Sequence, residues 1–163
     1  SSLPTLLGNG FFLRPWHIED AGWYVQSRDE EVFRWTTERR NLTVEETRVA
    51  IEQANVNPNA VCLAIVEKES ENLLGNIALA MAEDRQSAEV MYWLAPAGRG
   101  RGIATNAVKL LCNWAFEALD LEQITLKTYL ENAPSQAVAH RAGFTRKENQ
   151  AEVAWFELDA PKF

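Results

Sequence analysis

A glycine-rich, doubly basic segment at residues 98–102 has the residue types that most clearly predict chemistry. It reads Gly-Arg-Gly-Arg-Gly and lies between the apolar run 88–94 and a long amphipathic stretch that begins at Ile103. Glycines let a backbone turn tightly and bring its N–H groups close to an anion, and the start of a following helix adds amides and a positive dipole end. Arg99 and Arg101 add positive charge. The segment therefore predicts a phosphate-binding loop.

The sequence of this loop departs from two common phosphate-binding motifs. A Walker loop needs Lys and then Ser or Thr after its last glycine, and none of the three glycines here is followed by Lys. A dinucleotide fingerprint, GxGxxG, fails at Thr105, where its third glycine would stand. The pattern that fits is Arg-x-x-Gly-x-Ala, formed by Arg99, Gly102 and Ala104. A solvated Arg/Gly turn is the alternative that the loop alone leaves open.

The elements around the loop predict an α/β fold. Strand-like runs lie at 9–16, 60–67, 73–81, 88–94, 122–130, 145–150 and 153–158, and helical patterns lie at 18–25, 29–35, 43–54, 103–119 and 133–142. The runs from 60 to 94 are too continuously apolar to alternate, which is typical of central strands covered on both faces. The unit 88–130 predicts a crossover that places the loop at the carboxyl end of its strand, where α/β sheets bind ligands.

Composition limits the classes of function. The 163 residues, 47% of them hydrophobic, suit one domain spanning 1–163. A net charge of −7 argues against a general binder of nucleic acid or anionic membranes and would attract a cationic amine, although acidity for solubility explains it equally well. Cys62 and Cys112 are isolated in apolar runs and no His lies at ligand spacing, so we expect neither a disulfide nor a metal site. With no signal peptide and no apolar run of about 18 residues, a cytoplasmic location is expected.

A second segment, residues 131–144, makes a family resemblance specific. It reads Glu-Asn-Ala-Pro-Ser-Gln-Ala-Val-Ala-His-Arg-Ala-Gly-Phe. Together with the loop and the flanking Tyr-Trp-Leu at 92–94 and Asn-Trp-Ala-Phe at 113–116, it resembles the GNAT superfamily of N-acetyltransferases, and its ribosomal-protein alanine N-acetyltransferase-like branch in particular. The resemblance covers nearly the whole chain, most specifically residues 88–144.

The resemblance implies a fold and a reaction. The fold is α/β (α+β), with a central mixed, mostly antiparallel sheet of about seven strands, flanked by helices and splayed between the fourth and fifth strands of the sequence. The reaction transfers an acetyl group from acetyl-CoA to a primary amine, either a protein N-terminus or a small molecule, by direct attack in a ternary complex. The partners are then acetyl-CoA and the amine, with no nucleic acid and no membrane, and the chain is a monomer or a homodimer.

The resemblance also implies the residues that hold acetyl-CoA. Backbone amides would hold its pyrophosphate, and they belong to Arg99, Gly100, Arg101, Gly102, Ile103 and Ala104, with Thr105 capping nearby. Leu94 and Ala95 would expose main-chain groups to the pantetheine arm. Asn132 would bind the same arm or an ordered water, and Ser135 would line it.

Transfer from a thioester to an amine needs a base for the ammonium proton and a polarised carbonyl. Glu89, the only acid in the run 88–94, is the first candidate base, because apolar neighbours would favour proton uptake near neutral pH. A Glu at the strand end that faces solvent or a structural Arg partner is an equal alternative. Glu83 and Asp84 are reserves that could instead bind a cationic substrate. A backbone amide near Leu94 would polarise the carbonyl.

The leaving thiolate also needs a proton. Many relatives carry a tyrosine acid four residues before the glycine of the Gly-Phe pair, where this chain has Ala139. Ser135, Tyr129 or water would then supply the proton, or no group would, and Ser135 is our catalytic candidate. Aromatic side chains are candidates for the acceptor site, although at such spacing they more often belong to the core; they are Phe33, Trp35 and Tyr92.

Two rival functions stay open at this point. The alanine at 139 permits a catalytically idle acyl-CoA-binding sensor, which would bind acetyl-CoA without turnover. An unrelated phosphate-binding α/β protein would bind free nucleotides in competition with CoA. Turnover separates the enzyme from the sensor, and the competition experiment separates both from the third class.

Overall fold

The computed structural model describes residues 3–162, which are built around an eight-stranded sheet. The strands are β1 (Leu6–Leu7), β2 (Phe11–Pro15), β3 (Ala60–Glu67), β4 (Leu73–Met81), β5 (Ser87–Leu94), β6 (Gln123–Tyr129), β7 (Thr145–Arg146) and β8 (Val153–Asp159). Their order across the sheet is β1-β2-β3-β4-β5-β6-β8-β7. All neighbours are antiparallel except β5 and β6, which are parallel. The predicted mixed, mostly antiparallel sheet is confirmed.

The two short strands differ from the sequence prediction. Seven strands were predicted, and β1 is the additional one. Its two residues pair with Leu13 and Phe12 but are too few to give a periodic pattern in the sequence. β7 is shorter than the predicted run 145–150, because the chain after Arg146 is polar and exposed and keeps only scattered contacts with β8. One of these is the backbone hydrogen bond from Lys147 N to Trp155 O, at 2.8 Å.

Helices cover both faces of the sheet. They are α1 (Ala21–Ser27), α2 (Glu30–Trp35), α3 (Val44–Val56), α4 (Ile103–Ala118) and α5 (Ala133–Arg141). The predicted start of α3 is confirmed by a reciprocal capping box, in which Glu46 N donates to Thr43 Oγ1 at 3.1 Å and Thr43 N donates to Glu46 Oε1 at 3.0 Å. Within residues 3–162, no helix has both the length and the apolar character needed to cross a membrane.

The central strands are apolar throughout because helices bury both of their faces. On β3, Leu63 and Ile65 join the larger core beneath α4 and α5, whereas Ala64 and Val66 join a second cluster with Trp16 and α3. Successive side chains of a strand point to opposite faces, so a strand buried on both sides loses its polar alternation. The predicted double cover of this region is therefore confirmed.

The sheet opens between β5 and β6. These strands are paired only over Ser87–Glu89 and Gln123–Thr125, at the start of each strand. Beyond this point β5 continues beside β4 as far as Leu94, and β6 continues beside β8 as far as Tyr129. The two strands therefore diverge towards their carboxyl ends, which is the splay predicted between the fourth and fifth strands of the sequence. Helix α4 connects them across one face.

Candidate active site

A first cleft of about 410 Å³ lies at the carboxyl end of β5, between the loop 98–102, α2, α4 and α5. It brings together most of the residues predicted to bind the cofactor: Leu94, Arg99, Gly100, Gly102, Ile103, Ala104, Thr105, Asn132 and Ser135. Two of the predicted set, Ala95 and Arg101, do not line it. The cleft thus joins two motif segments that lie about thirty residues apart in the sequence.

The loop has the backbone geometry of an anion site. Gly100 and Gly102 have φ angles of +72° and +73°, in the left-handed region that favours glycine. Gly102 is the N-cap of α4. Its carbonyl accepts the first hydrogen bond of the helix, from Asn106 N at 3.2 Å. The amides of Ile103, Ala104 and Thr105 precede it and have no partner within the helix, so they can donate to an anion.

Both loop arginines form ion pairs with carboxylates of the protein. Arg99 forms a two-pronged pair with Asp29, with nitrogen–oxygen distances of 2.7 and 2.8 Å, and lies 3.4 Å from Glu31. The hydrogen bonds from Arg99 lower the pKa of Asp29 to about 2. Arg101 contacts the carboxylate of Glu67. Backbone amides and the helix dipole, rather than the paired arginine side chains, are therefore the groups of the loop that suit an anion.

Arg141 is a residue that the sequence analysis missed. It lies in the last turn of α5 and lines the first cleft with an exposed side chain. The sequence predicted a helix over 133–142 beside the cofactor site. The position of Arg141 near the end of that helix was the feature that could have identified it. Arg141 places a positive charge at the cleft.

The main chain of Leu94 points into the splay, but that of Ala95 does not. Ala95 N donates to Leu74 O at 2.8 Å, and Ala95 O accepts from Gly98 N at 2.9 Å, so both groups of Ala95 are occupied. The first of these bonds makes Gly75 and Leu94 a non-hydrogen-bonded pair of the β4–β5 ladder. The N–H and C=O of Leu94 therefore face away from β4, towards the open side of β5.

A second cleft of about 300 Å³ lies in the splay and extends towards the α2–α3 connection. It is lined by Glu38, Glu89 and Asn76, by strand residues of β5 and β6, and by several aromatic side chains. The residues that line both clefts are Trp35, Thr36, Tyr92, Trp93 and Ser135. The two clefts therefore meet at the carboxyl end of β5.

Glu89 lines the second cleft in a more polar setting than the sequence predicts. Its carboxylate lies 3.3 Å from the Nζ of Lys127 on β6, and both side chains are more than one-third exposed. Lys127 also lies over the Trp155 ring, 4.4 Å from its centroid. The partner cation comes from the neighbouring strand, because Glu89 pairs in register with Thr125, two residues before Lys127.

Glu38 is a second carboxylate of this cleft, and no local motif marks it. It accepts a hydrogen bond from the Tyr24 hydroxyl at 2.9 Å and pairs with Arg28 at 3.1 Å. Burial, followed by the charge of Glu38, raises the pKa of Tyr24. The reserve candidates Glu83 and Asp84 lie outside both clefts.

The aromatic candidates separate into two groups. Trp35 and Tyr92 line both clefts, and Trp35 lies beside Tyr129, with ring centroids 6.1 Å apart. Phe33 does not line either cleft. Its ring lies against the guanidinium groups of Arg28 and Arg40, at 5.2 and 4.8 Å, because successive residues of the short helix α2 point in different directions.

Hydrogen bonds connect the start of α5 to β5. The Asn132 side chain is buried and caps α5 by accepting from Ser135 N at 3.2 Å. The Tyr92 hydroxyl donates to Ser135 Oγ, also at 3.2 Å, and burial raises the pKa of Tyr92. Ala139 is fully buried in the core, one turn further along α5. The hydroxyl pair thus lies where the clefts meet, whereas Ala139 lines neither cleft.

Known proteins share this architecture. An N-acetyltransferase 9-like protein of Caenorhabditis briggsae is 29% identical over 158 residues, which cover 90% of this chain and 79% of that protein. A ribosomal-protein-S5-alanine acetyltransferase from Vibrio fischeri superposes with a TM-score of 0.85 at 18% identity, covering 96% of this chain and 97% of the other. A spermidine N-acetyltransferase from Vibrio cholerae, in complex with CoA and spermine, superposes with a TM-score of 0.84 at 16% identity, covering 94% and 97%.

The family assignment rests on most of the chain. Residues 11–145 match the family model of the acetyltransferase (GNAT) domain. This range includes the glycine-rich loop, the splayed strands and the segment 131–144, the features that carry the resemblance in the sequence. The chain therefore belongs to the GNAT acetyltransferase family and is an N-acetyltransferase.

Proposed function

We propose that this chain transfers the acetyl group of acetyl-CoA to a primary amine by direct attack in a ternary complex. The observation that carries the proposal is that the first and second clefts meet in the splay, at Tyr92 and Ser135. A donor in one cleft and an acceptor in the other would bring their reactive groups together there. Such positioning replaces a bimolecular encounter and is a major source of rate acceleration.

The residues of the first cleft fit a CoA-type ligand. Amides at the start of α4 suit a diphosphate, and Arg141 adds a charge for a phosphate group. The main chain of Leu94 suits the amide groups of a pantetheine arm, which Pro134 and Val138 would flank on the other side. Acetyl-CoA would supply an activated acyl group with a thiol leaving group. The amide of Leu94, which faces the splay, is the group proposed to polarise the acyl carbonyl.

The second cleft has the chemistry of an amine site. Glu38 and Glu89 are the carboxylates of its lining, and their cationic partners are Arg28 and Lys127. Their oxygens would accept hydrogen bonds from an amine, and Glu89 is proposed to accept the proton that an ammonium group must lose before attack. Both N-terminal amines of proteins and small amines fit this chemistry. The cytoplasmic location and the choice between monomer and homodimer stay predictions.

The test is acetyl-CoA consumption, measured by release of free thiol, with N-terminal peptides, polyamines, amino acids and aminoglycosides as acceptors. Turnover on one class would support the enzyme. Tight binding of acetyl-CoA without turnover on any acceptor would favour the sensor, and failure to bind acetyl-CoA would refute the assignment of the first cleft.

Glu89 is tested with a matched pair of variants. Glu89→Gln is expected to lower kcat by about 10- to 1,000-fold, the range of general-base catalysis. Lys127→Gln breaks the same ion pair from the other side while leaving the carboxylate in place. A base therefore predicts a large loss only in Glu89→Gln. Equal losses in the two variants would assign the ion pair a structural role and remove Glu89 as the base.

A further inference from the structure

The leaving sulfur of a thioester needs a proton, and its donor must lie where the two clefts meet. Position 139 cannot supply one, because Ala139 carries no proton donor and is packed in the core. Among the five residues that line both clefts, three carry hydroxyl groups: Thr36, Tyr92 and Ser135. The Thr36 hydroxyl donates to Val32 O at 2.7 Å, which satisfies the end of α2. Tyr92 and Ser135 remain.

The hydrogen bond between these two hydroxyls can pass a proton to Ser135. The two oxygens lie 3.2 Å apart and either hydroxyl can donate; when Tyr92 donates to Ser135 Oγ, the proton of Ser135 is left to be donated elsewhere. Asn132 fixes the position of Ser135 by capping α5 through the Ser135 amide. The two hydroxyls therefore form a short chain that starts on β5 and ends at Ser135, at the mouth of both clefts.

We propose that Tyr92 and Ser135 act as a two-hydroxyl relay that protonates the leaving sulfur, an inference that rests on the proposed function. Ser135 Oγ gives its proton to the sulfur as the carbon–sulfur bond breaks and the bonding electron pair stays on sulfur. Ser135 Oγ takes the proton of the Tyr92 hydroxyl at the same time. The Tyr92 phenolate regains, through water, the proton that the attacking nitrogen loses as the amide forms. The earlier proton, which the ammonium gives to Glu89, passes to solvent, so the enzyme returns to its starting protonation state and one proton is released for each ammonium consumed.

The environment of Tyr92 suits a proton reservoir. The side chain is half-buried, and burial raises its pKa above the ordinary value for tyrosine, whereas the hydrogen bond with Ser135 lowers it. The phenol is therefore the resting form, and its proton leaves in concert with the transfer from Ser135 to sulfur, because burial disfavours a separate phenolate. Tyr92 belongs to β5, and its side chain packs against the core beneath α4.

The relay is tested with Tyr92→Phe, Ser135→Ala and the double variant. Each single change is expected to lower kcat about 100-fold, with KM for acetyl-CoA unchanged within about twofold, because the hydroxyls act on the chemical step. The double variant is expected to be no slower than the slower single variant, because the residues act as a unit. Ser135→Thr keeps a hydroxyl and is expected to restore most of the activity.

Several outcomes would overturn the relay. Tyr92→Phe with wild-type kcat would remove Tyr92, and multiplicative losses in the double variant would show two independent roles. A raised KM with unchanged kcat would assign the pair to binding. A loss in Tyr129→Phe without one in Tyr92→Phe would assign the proton to Tyr129. If the wild type consumes no acetyl-CoA with any acceptor, the proposed function fails first, and the relay fails with it.

If Tyr92→Phe does not fold, the serine series alone decides the terminal step. Ser135→Ala removes the hydroxyl from this position of α5, which lines the cleft, and Ser135→Thr keeps it. Equal kcat values for the two variants would refute the relay, and activity in Ser135→Thr alone would support it. The melting temperature of each variant shows which rates belong to folded protein.

Discussion

Asp29 connects the glycine-rich loop to α2, the helix that lines both clefts. Its carboxylate caps α2 by accepting from Val32 N at 3.2 Å, and it also holds Arg99 of the loop with two hydrogen bonds. Helix α2 carries Trp35, which lines both clefts. One side chain therefore fixes the loop of the proposed cofactor site relative to a wall of the proposed acceptor site.

Asp29→Asn separates these two contacts, because Asn caps a helix about as well as Asp. We expect a loss of about 0.5–1 kcal/mol of unfolding free energy at pH 7, since the side chains of the pair are about one-third exposed. We also expect a raised KM for acetyl-CoA, because the loop loses its anchor to α2. Urea unfolding and steady-state kinetics measure the two effects.

The pH dependence of this loss provides its control. The folded-state pKa of Asp29 is lowered from 3.8 to about 2, so the stability it contributes is present above about pH 4 and is lost as the pH falls through 2. The difference between wild type and Asp29→Asn should therefore shrink at pH 3. A difference that stays constant between pH 7 and pH 3 would show that the ion pair is not its source.

Contacts between individual side chains are the feature that the sequence predicts least well. Because local spacing sets the turn and the helix start, the loop motif indicates most of the residues that line the first cleft, although not Arg101. The partners of its arginines could not be read from the sequence, since Asp29 and Arg99 are 70 positions apart. Glu38 was missed for the same reason. Its place in the second cleft depends on contacts with Tyr24 and Arg28, and each of these residues has unremarkable neighbours.

At the scale of elements, β5 is the strand that both clefts share. Its alternation places Val90 and Tyr92 against the core beneath α4, whereas Trp93 packs with Val32 of α2. The close approach of β4 holds it in place. A Cβ added to Gly75 would lie 2.2 Å from the carbonyl oxygen of Trp93, so this position accepts only glycine without a backbone shift.

Gly75→Ala is therefore expected to destabilise the protein by about 1–3 kcal/mol, the usual effect of forcing extra volume into a packed site. It should also lower kcat, because the backbone that must move carries the main chain of Leu94. Gly22→Ala is the matched control. It lies in α1 where no described atom is within 4 Å of an added Cβ, and it should gain about 0.5–1 kcal/mol by helix propensity.

Thermal melts and thiol-release kinetics check both glycine variants. Wild-type stability in Gly75→Ala would contradict the close strand approach on which the position of Leu94 depends. A destabilised Gly22→Ala would show that any added methyl group harms this fold, and the comparison would then carry no information about β5. The expected result is opposite signs for the two changes.

Elements were predicted well where their signals were local. The capping box of α3 and the glycine N-cap of α4 lie within a few residues of each helix start, and both helices begin where the sequence indicates. The edge strands β1 and β7 were missed or drawn too long. Their pairing is supplied by neighbouring strands rather than by their own residues, so two-residue strands leave no periodicity.

At the scale of the whole molecule, the fold class could be predicted but the second cleft could not. Strand order and the apolar runs indicate a sheet covered on both faces, and the resemblance supplies the splay. The second cleft combines Glu38, Glu89 and Tyr129, which come from three distant parts of the chain. Only the assembled sheet brings them together, so its shape and charge are properties of the tertiary structure.

The acidic net charge makes whole-molecule stability depend on how carboxylates are paired. Within residues 3–162, hydrogen bonds lower the pKa of four carboxylates. Arg99 donates to Asp29, Arg40 to Glu30, Arg39 to Glu46, and Ser70 and Arg101 to Glu67. For Asp29 and Glu46 the pKa lies at about 2, against 3.8 and 4.5 when unperturbed. Each group therefore stabilises the fold only while it is ionised.

We expect the unfolding free energy to be level above about pH 5 and to fall steadily between about pH 4.5 and pH 2, because the unfolded chain takes up protons first. About 1 M NaCl should flatten this fall, since the pairs lie at the surface, where salt screens them. Glu46→Gln is the matched variant, because glutamine also serves in a capping box but does not ionise. It should show a shallower fall than the wild type in urea titrations at pH 3, 4, 5 and 7. Equal slopes for the two proteins would mean that the acid sensitivity arises elsewhere than in these surface pairs.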